Sequence, residues 1–426
     1  MNIREIAFKT IYDVIYKDKY SNILLENNLN FNNLNHKDRS LVNNIVMGTL
    51  QNYIYLQYNI KNLSNISYNK ISKSVRVILA LSMYQIIFLD RIPMFAICDE
   101  GVSLTKKYAG VKSKNFANAI LRKSEELKTD REKYISQLTK KEYLATKYSF
   151  NMNIINQLYK KYGYDKLEKI LQALNIFDKT AIRVNTLKIN RTNLISKLEE
   201  EHFIVESASL SDCLYIKGNQ NPSHNYLYKE GLFTIMDKGA MEIVRAMEPK
   251  ENEEILDCCA SPGGKTSYIS QLMENKGNIV ACDIHESRIK QLEKNVKRMG
   301  NKNVKCYTKD MTLNDVHFNG KFDKILLDVP CSGIGVSKKR PEIKIKYEYN
   351  EILIETQKQL LENSSKYIKE KGRIMYATCT ILPCENELVI EWFTKKNNFK
   401  VIKMENLFPT ENNMGFFYCL MEKEND

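Results

Sequence analysis

The sequence has few histidines and lacks a Cys-x-x-Cys pair. The five histidines do not cluster with any of the ten cysteines, and the cysteines are scattered without regular spacing. Zinc sites and disulfide frameworks both need ligands or partners at short, recurrent spacings. We therefore expect no metal site, and we expect reduced, partly buried thiols of the kind found in cytoplasmic proteins.

A membrane-spanning run is also missing. The longest apolar stretch, Val77 to Leu89, is interrupted by Ser82, Tyr84 and Gln85 and is shorter than the about 20 residues that a bilayer-spanning helix needs. The first residues, Met1 to Glu5, lack the apolar segment of a secretory signal. These absences predict a soluble cytoplasmic protein without a membrane partner.

Positive charge is the clearest signal in the composition. Lys and Arg number 64 against 51 Asp and Glu, which gives a formal net charge of +13 over 426 residues. Such a balance favours a polyanionic partner such as nucleic acid, although a chain rich in Lys and Asn can be basic without one. At this length two or three domains are expected.

The hydrophobic periodicity divides the chain into four segments. Residues 1–128 have helical periodicity almost throughout, which predicts a compact all-α domain, and residues 129–178 indicate a helical connector. Residues 179–230 mix strand-like and helical stretches and predict a small α/β subdomain. Residues 231–426 alternate strands with helices, which is typical of a doubly wound α/β fold with a mostly parallel sheet.

A glycine-rich turn lies early in the last segment, in Ile255-Leu-Asp-Cys-Cys-Ala-Ser-Pro-Gly-Gly-Lys-Thr266. The pattern predicts strand, loop and helix, with Gly263 and Gly264 letting main-chain N–H groups approach a ligand at a helix N-terminus. A nucleotide phosphate is one candidate ligand, but a P-loop needs a glycine where Cys259 stands. A dinucleotide is another, but the Gly-x-Gly-x-x-Gly pattern is absent.

Four acidic residues support a third doubly wound class, the S-adenosylmethionine (SAM)-dependent methyltransferases. Each follows a short apolar run: Asp257, Asp283, Asp310 and Asp328. Ligands of an open α/β sheet bind beyond the carboxyl ends of its strands, so these acids are expected along one rim. Asp283 lies about 20 residues beyond the glycine-rich turn, where an acid holds a ribose hydroxyl.

Two cysteines, Cys331 and Cys379, stand in loops directly after predicted strands. Carbon 5 of a pyrimidine is too weakly nucleophilic to take a methyl group from SAM unless a thiolate first adds to carbon 6. The thiolate is the reactive form, and a cationic setting favours it. Five basic side chains follow Cys331 closely and are candidates for that setting or for phosphate contacts: Lys338, Lys339, Arg340, Lys344 and Lys346.

Three motifs carry a resemblance to a known family: Cys258-Cys-Ala-Ser-Pro-Gly-Gly-Lys-Thr266, Asp328-Val-Pro-Cys-Ser-Gly333 and Thr378-Cys-Thr-Ile-Leu-Pro-Cys-Glu-Asn386. They resemble the motifs of the RNA 5-methylcytosine methyltransferases. In the α-helical segment, Asp38 to Val42, Leu79 to Pro93 and Lys107 to Arg122 resemble the NusB-like RNA-binding domain. Together these features resemble the bacterial RsmB (Sun/Fmu) branch of ribosomal RNA methyltransferases.

The resemblance implies SAM-dependent methylation of carbon 5 of a cytidine in small-subunit (16S) ribosomal RNA through a covalent cysteine adduct. Cys379 matches the family's nucleophile, Cys331 the cysteine that assists product release, and Asp328 the acid that hydrogen-bonds the target base. Motif chemistry alone would favour Cys331 as the nucleophile, as in the DNA cytosine methyltransferases. The positions that match the family's SAM-binding residues are Cys259, Ala260, Ser261, Pro262, Gly263, Gly264, Lys265, Asp283, Asp310 and Asp328.

The NusB-like resemblance implies an RNA-facing role for five basic residues: Arg39, Arg76, Lys112, Lys114 and Arg122. Ribosomal RNA is therefore the expected partner, and one complete site per chain makes a monomer the expected state. The sequence departs from the family pattern at Cys384, where an acid is more usual. Cys384 lies five residues beyond Cys379, and oxidation could join the two thiols.

Three alternatives stay open at this point. A tRNA cytosine is one possible substrate, since the core motifs are shared across the wider family. A non-catalytic RNA-binding or antitermination factor is the second, although the intact acids and cysteines of the motifs argue against it. A P-loop ATPase is the third, and the incomplete glycine pattern argues against it.

Overall fold

The computed structural model describes residues 2–31, 34–176, 179–218 and 221–424. It divides into two compact units. The first comprises Met1–Asn175 with Ser337–Glu348, and the second comprises Ile176–Val336 with Tyr349–Asp426. The four-segment division drawn from the sequence stays a prediction.

The elements are numbered in chain order over the described residues. The helices are α1 (Ile3–Tyr16), α2 (Ser21–Phe31), α3 (His36–Gln51), α4 (Tyr53–Leu63), α5 (Lys73–Phe88), α6 (Met94–Ala109), α7 (Lys112–Lys123), α8 (Glu126–Thr129), α9 (Lys140–Lys147), α10 (Met152–Ala173), α11 (Arg191–Glu200), α12 (Tyr226–Lys229), α13 (Lys238–Met247), α14 (Gly264–Leu272), α15 (Glu286–Met299), α16 (Glu342–Lys346), α17 (Glu351–Tyr367) and α18 (Glu387–Thr394). The strands are β1 (Lys179–Val184), β2 (Ile204–Ser207), β3 (Cys213–Lys217), β4 (Phe233–Ile235), β5 (Glu254–Asp257), β6 (Asn278–Asp283), β7 (Val304–Thr308), β8 (Phe322–Asp328), β9 (Ile368–Thr378), β10 (Phe399–Leu407) and β11 (Phe416–Lys423). Short 3₁₀ turns lie at Tyr68–Lys70, Pro222–His224, Val316–Phe318, Ile334–Val336 and Pro383–Glu385.

Helix α5 is the centre of the first unit. Every residue from Val75 to Ile87 except Arg76 is buried. Residues such as Val77 and Leu81 pack in an apolar cluster with α1 and α3, whereas residues such as Leu79 pack in a second cluster with α4, α6 and α7. A helix that is apolar nearly all round buries every face, so the sequence prediction of a central helix is confirmed.

The segment Ser337–Glu348 belongs to the first unit although it lies between β8 and β9 in the chain. Lys344 is fully buried, and its Nζ donates to Tyr148 O at 3.0 Å and to Asn175 Oδ1 at 2.5 Å. Ser21 Oγ donates to Glu342 Oε2 at 2.8 Å. Lys338 is also buried, at 4% exposure. The expectation that Lys338 and Lys344 contact phosphates was therefore wrong, because neither side chain reaches solvent.

A small antiparallel sheet with the order β2-β3-β1-β4 opens the second unit. Strand β1 is buried on both faces. Ile182 and Val184 pack against α11, whereas Ala181 belongs to the cluster that contains α13 and α14. Because side chains alternate along a strand, Arg183 lies on the same face as Ala181, and it is fully buried there.

The main sheet of the second unit has seven strands in the order β10-β11-β9-β8-β5-β6-β7. Strands β5 to β9 pair in parallel, while β11 is antiparallel to β9 and to β10. Helices α13 and α14 cover one face, and α17 and α18 cover the other. The predicted doubly wound fold with a mostly parallel sheet is confirmed, and the mixed α/β class with it.

The direction of winding reverses between β5 and β8. The chain runs outward from β5 through β6 to the edge strand β7, and then returns to β8 on the opposite side of β5. At such a reversal the loops beyond the carboxyl ends of the strands diverge and leave a crevice. In the part of the chain that the structure describes, no helix is long and apolar enough to cross a membrane.

We predict that Gly48→Ala destabilises the first unit. A Cβ on Gly48 of α3 would lie 2.0 Å from Tyr84 Cζ, on the nearly buried ring of α5. Overpacking costs about 1–3 kcal/mol, which outweighs the gain of up to about 1 kcal/mol from replacing a helical glycine. The free energy of unfolding, measured in denaturant, should fall. Asn43→Ala, at an exposed position of the same helix, is the control; equal stability of the two variants would contradict the close packing.

Candidate active site

The glycine-rich loop lies at the carboxyl end of β5, where the winding of the sheet reverses. Backbone hydrogen bonds tie it to both neighbouring strands. Cys258 N donates to Leu326 O of β8 at 3.1 Å, and Ala260 N donates to Cys282 O of β6 at 2.9 Å. The loop is therefore held as an extension of the sheet, and Gly263 N closes its turn by donating to Ala260 O at 2.8 Å.

The two glycines of this loop have different surroundings. Gly263 has a left-handed backbone with φ of +98°, and a Cβ there would lie 2.5 Å from Leu292 Cδ1 of α15. Gly264 adjoins open space, since a Cβ built on it meets no atom within 4 Å. The Ser261–Pro262 peptide bond between them and the strand is cis. The first turn of α14 therefore has room beside it for a ligand, at a helix end that favours negative charge.

Asp283 and Asp310 follow the next two strands along the rim. Asp283 is 3% exposed, and Arg288 Nε lies 3.5 Å from its Oδ2. Arg288 also donates to Ser261 O at 3.0 Å, so one guanidinium joins Asp283 to the glycine-rich loop. Asp310 Oδ1 accepts from the N and Oγ1 of Thr312 at 2.9 and 2.6 Å. Asp283 is thereby oriented by the first turn of α15, and Asp310 by its own loop.

Asp328 ends β8 and pairs with Lys265 of α14. Lys265 Nζ donates to Asp328 Oδ2 at 2.6 Å, and the Asp328 side chain is 31% exposed. Burial alone would lower the pKa of Lys265, but the Asp328 carboxylate outweighs it and the pKa of Lys265 lies above its ordinary value. The pair joins the first turn of α14 to the end of β8.

Asp257 differs from the other acids because it is buried. It is 1% exposed, and its Oδ2 accepts from Thr266 Oγ1 of α14 at 2.7 Å. Burial raises the pKa of Asp257 from about 3.8 to about 7. This carboxyl therefore fastens the first turn of α14 to β5 and does not face a ligand.

The two motif cysteines meet at the ends of β8 and β9. These parallel neighbours pair Asp328 with Ala377, so the loops that follow them run side by side. Cys331 Sγ lies 3.2 Å from Cys379 Sγ, and Cys379 N donates to Cys331 Sγ at 3.3 Å. Both are free thiols. The pairing of β8 with β9 thus brings together two residues that are 48 apart in the chain.

The contact between the two sulfurs shifts their pKa values in opposite directions. The hydrogen bond with Cys331 lowers the pKa of Cys379 even though burial opposes this. The same hydrogen bond and burial raise the pKa of Cys331 well above its ordinary value. Cys379 is therefore the more acidic of the two thiols.

A buried network holds the two cysteine loops together. Ser332 Oγ and Thr380 Oγ1, each next to one of the cysteines, lie 2.9 Å apart. Glu385 is 2% exposed and accepts from Ser332 N at 2.8 Å and from Gln357 Nε2 at 3.1 Å. Burial raises the pKa of Glu385. Asn386 Nδ2 donates to Thr380 O at 3.1 Å. The positions of both sulfurs therefore depend on groups that touch neither of them.

Gly335 allows these loops to approach. Its N donates to Cys379 O at 3.0 Å, and its O accepts from Gly415 N at 2.9 Å. A Cβ on Gly335 would lie 2.0 Å from Gly415 O. Any larger residue would therefore push the Cys331 loop away from the backbone of Cys379.

The catalytic and cofactor-binding residues expected from the sequence lie at or just beyond the carboxyl ends of β5, β6, β7, β8 and β9. Side-chain contacts join Lys265 to Asp328 and Cys331 to Cys379. Sequence reasoning missed Arg183, Glu385, Gln357 and Gly335. Glu385 lies within a motif that was singled out, and Arg183 interrupts an apolar strand, which is an available signal of a special role. Gln357 carried no signal.

The basic residues expected to face RNA lie in the first unit. Lys112, Lys114 and Arg122 are exposed on α7. Arg76 donates to Ile71 O at 2.8 Å and to Asn69 O at 2.9 Å, so it also supports the turn before α5. Arg39 donates to Leu34 O at 2.9 Å. An RNA-facing role for the five residues stays a prediction.

Three family models match successive parts of the chain. The NusB family matches residues 1–126, the ferredoxin-like domain of RsmF/B-like methyltransferases matches residues 150–221, and 16S rRNA methyltransferase RsmB/F matches residues 244–421. The ferredoxin-like match includes strands β1, β2 and β3 of the small sheet.

Curated relatives extend over most of the chain. The probable ribosomal RNA small subunit methyltransferase B of Bacillus subtilis (strain 168) is 32% identical over 401 residues, which are 93% of this chain and 89% of the relative. The ribosomal RNA small subunit methyltransferase B of Proteus mirabilis is 27% identical over 99% of both chains. A 28S rRNA (cytosine-C(5))-methyltransferase of Mus musculus is 32% identical over 64% of this chain and 35% of its own.

Solved structures show the same fold. The crystal structure of PH0851 matches 99% of both chains with a TM-score of 0.83 and 26% identity. The crystal structure of NSun6 from Pyrococcus horikoshii with SFG matches 63% of this chain and 97% of its own, with a TM-score of 0.58 and 25% identity.

We predict that Asp257 makes stability fall as pH rises from about 4 to about 7. Its folded pKa of about 7 exceeds the ordinary value of 3.8, so between these values the folded state holds a proton that the unfolded chain has lost. The stabilisation is complete below the lower value and is lost as pH passes the higher one. Melting temperatures of the wild type minus those of Asp257→Asn should therefore decrease between pH 5 and pH 8.

Asp323→Asn is the matched control for this measurement. Asp323 lies near the other end of β8, and although burial opposes it, the Lys369 ammonium 2.8 Å away holds the pKa of Asp323 below its ordinary value. The difference between the wild type and Asp323→Asn should stay constant above pH 5. Parallel curves for Asp257→Asn and the wild type would show that Asp257 is ionised in the folded protein.

Proposed function

Because the chain belongs to the RsmB/F family of ribosomal RNA methyltransferases, we propose that it transfers the methyl group of SAM to carbon 5 of a cytidine in small-subunit (16S) ribosomal RNA. The observation that carries the proposal is the pair of cysteine sulfurs 3.2 Å apart, on the loops beyond β8 and β9. A thiolate beside a second thiol, next to an acid that ends a strand, suits covalent catalysis on a pyrimidine.

The residues along the rim suit SAM, which supplies an electrophilic methyl group when bound. The open space at Gly264 leaves the first N–H groups of α14 available to a carboxylate. Asp283 is oriented by Arg288 at the end of β6, where an acid holds ribose hydroxyls. We assign SAM to these residues: Cys259, Ala260, Ser261, Pro262, Gly263, Gly264, Lys265, Asp283, Asp310 and Asp328.

Cys379 is the nucleophile of the proposed reaction. Its thiolate adds to carbon 6 of the cytosine, and the displaced π electrons make carbon 5 nucleophilic enough to take the methyl group. The hydrogen bond from Cys331 favours this thiolate because it lowers the pKa of Cys379. The target cytidine has to leave its stack or lie in a single strand to reach the sulfur.

Asp328 holds the base in this reaction. Its carboxyl group faces the cytosine amino group and ring nitrogen, where it accepts a hydrogen bond and orients carbon 6 towards Cys379. Lys265, 2.6 Å from Asp328 Oδ2, fixes that carboxylate and adds positive charge on the side where electrons accumulate. The pair therefore performs both orientation and charge stabilisation.

Cys331 acts in the release of the product. After methyl transfer, carbon 5 loses its proton and the bond between carbon 6 and Cys379 breaks, which restores the aromatic ring and the thiolate. A base in the site takes the carbon 5 proton, and the electrons of that bond re-form the ring double bond as the sulfur leaves. Cys331 Sγ lies 3.2 Å from the departing sulfur, so its S–H donates a hydrogen bond to the thiolate that forms there and assists the release.

We predict opposite behaviour for the two cysteine variants. Cys379→Ala should transfer no label from radioactive SAM to undermethylated 16S RNA and form no covalent adduct, because the nucleophile is missing. Cys331→Ala should accumulate a protein–RNA adduct on denaturing gels, because release is blocked. Cys384→Ala, which removes another half-buried thiol five residues beyond Cys379, is the control and should retain wild-type turnover.

Each other outcome has a definite meaning. An adduct with Cys379→Ala and none with Cys331→Ala would reverse the two roles. Transfer to tRNA but not to 16S RNA would show that tRNA is the substrate and would leave the proposed reaction unchanged. Absence of transfer by the wild type to any RNA would favour a non-catalytic RNA-binding protein.

A further inference from the structure

A fully buried arginine lies beneath the glycine-rich loop. Arg183 projects from β1 of the small sheet and is 0% exposed. Its Nη1 donates to Gly264 O at 2.7 Å, and its Nη2 donates to Ser267 Oγ at 2.8 Å. The guanidinium carbon also lies 4.8 Å from the centre of the Tyr268 ring. All three contacts are on the first turns of α14.

The charge of Arg183 has no carboxylate partner among the hydrogen bonds and ion pairs of the described residues. Its third acceptor is Met236 Sδ at 3.3 Å, so every group that it binds is neutral. Its Nε is buried without a partner. Leaving a charge buried and unpaired is costly, and a chain that needed only packing here would place an apolar residue at this position of the strand.

The hydrogen bond to Gly264 O acts on the peptide unit that joins Gly264 to Lys265. The carbonyl of that unit accepts from a cation at 2.7 Å, which polarises the peptide and makes its N–H a stronger donor. That N–H belongs to Lys265 in the first turn of α14, a helix of nine residues, where N–H groups have no acceptor within the helix. Arg183 thus adds positive potential behind the donors that face the open side of Gly264.

We propose that Arg183 is a positioning residue of the cofactor site, which holds and polarises the Gly264–Lys265 peptide so that the first turn of α14 binds the carboxylate of the SAM methionine group. This inference rests on the proposed function. It assigns to the small sheet a part in cofactor binding, since the residue that supplies the charge comes from β1 and not from the methyltransferase sheet. The site is then completed by two sheets of the second unit.

The test compares two ligands that differ in the methionine group. S-adenosylhomocysteine carries the carboxylate, whereas 5′-methylthioadenosine lacks the amino-acid part. Binding of each to the full chain is measured by isothermal titration calorimetry, without RNA. Arg183→Met should lower the affinity for S-adenosylhomocysteine at least tenfold and the affinity for 5′-methylthioadenosine less than twofold. Arg183→Lys keeps the charge but loses the two-pronged donor group, so it should give an intermediate loss of affinity for S-adenosylhomocysteine only. If Arg183→Met fails to fold, the two ligands are compared on Arg183→Lys instead.

Arg298→Met is the matched control. Arg298 is half-buried and, like Arg183, donates to carbonyl oxygens, those of Tyr228 and Phe233, but these hydrogen bonds do not involve α14. The Arg298→Met variant should have a lower melting temperature, and the ratio of its affinities for the two ligands should equal that of the wild type. Equal weakening of both ligands by the Arg183 variants, or of neither, would overturn the inference. A wild type that binds S-adenosylhomocysteine but methylates no RNA would count against the proposed function alone; one that binds neither ligand would overturn both.

Discussion

The parallel pairing of β8 with β5 on one side and β9 on the other is the constraint on which the site depends. β8 continues beyond the residue that pairs with Asp257, so its last residue, Asp328, reaches the rim while Asp257 stays beneath the loop. The pairing of Asp328 with Ala377 then places the loops after both strands side by side. Two sulfurs distant in the chain are thereby brought to 3.2 Å from each other.

Burial differs among the carboxyl groups and thiols around this crevice, and their electrostatic environments differ with it. Asp257 is removed from water and has a pKa near neutrality, whereas Asp328 keeps part of its surface exposed and pairs with Lys265. The hydrogen bond between the two sulfurs lowers the pKa of Cys379 and raises the pKa of Cys331. Two thiols of the same type thus differ in acidity through their surroundings alone.

Support for the site comes from outside the loops that line it. Glu385 and Asn386 hold the two cysteine loops from below, and Arg183 holds the start of α14 from the small sheet. The chain that leaves the Cys331 loop enters Ser337–Glu348, a segment that is anchored within the first unit by the buried Lys344. Lys338 and Lys344, which follow Cys331 closely in the sequence, therefore serve the packing of a different part of the fold.

Local patterns in the sequence determined the fold class, the central helix α5, the glycine-rich turn and the acids after the strands, because periodicity, glycine and strand-end position are properties of neighbouring residues. The RNA methyltransferase family was evident from three short motifs for the same reason. Only the tertiary structure decided that Lys338 and Lys344 are buried, that Asp257 fastens a helix while Asp328 faces the crevice, and that Arg183 reaches Gly264. These facts depend on strand register and on contacts across tens of residues, which no local pattern contains.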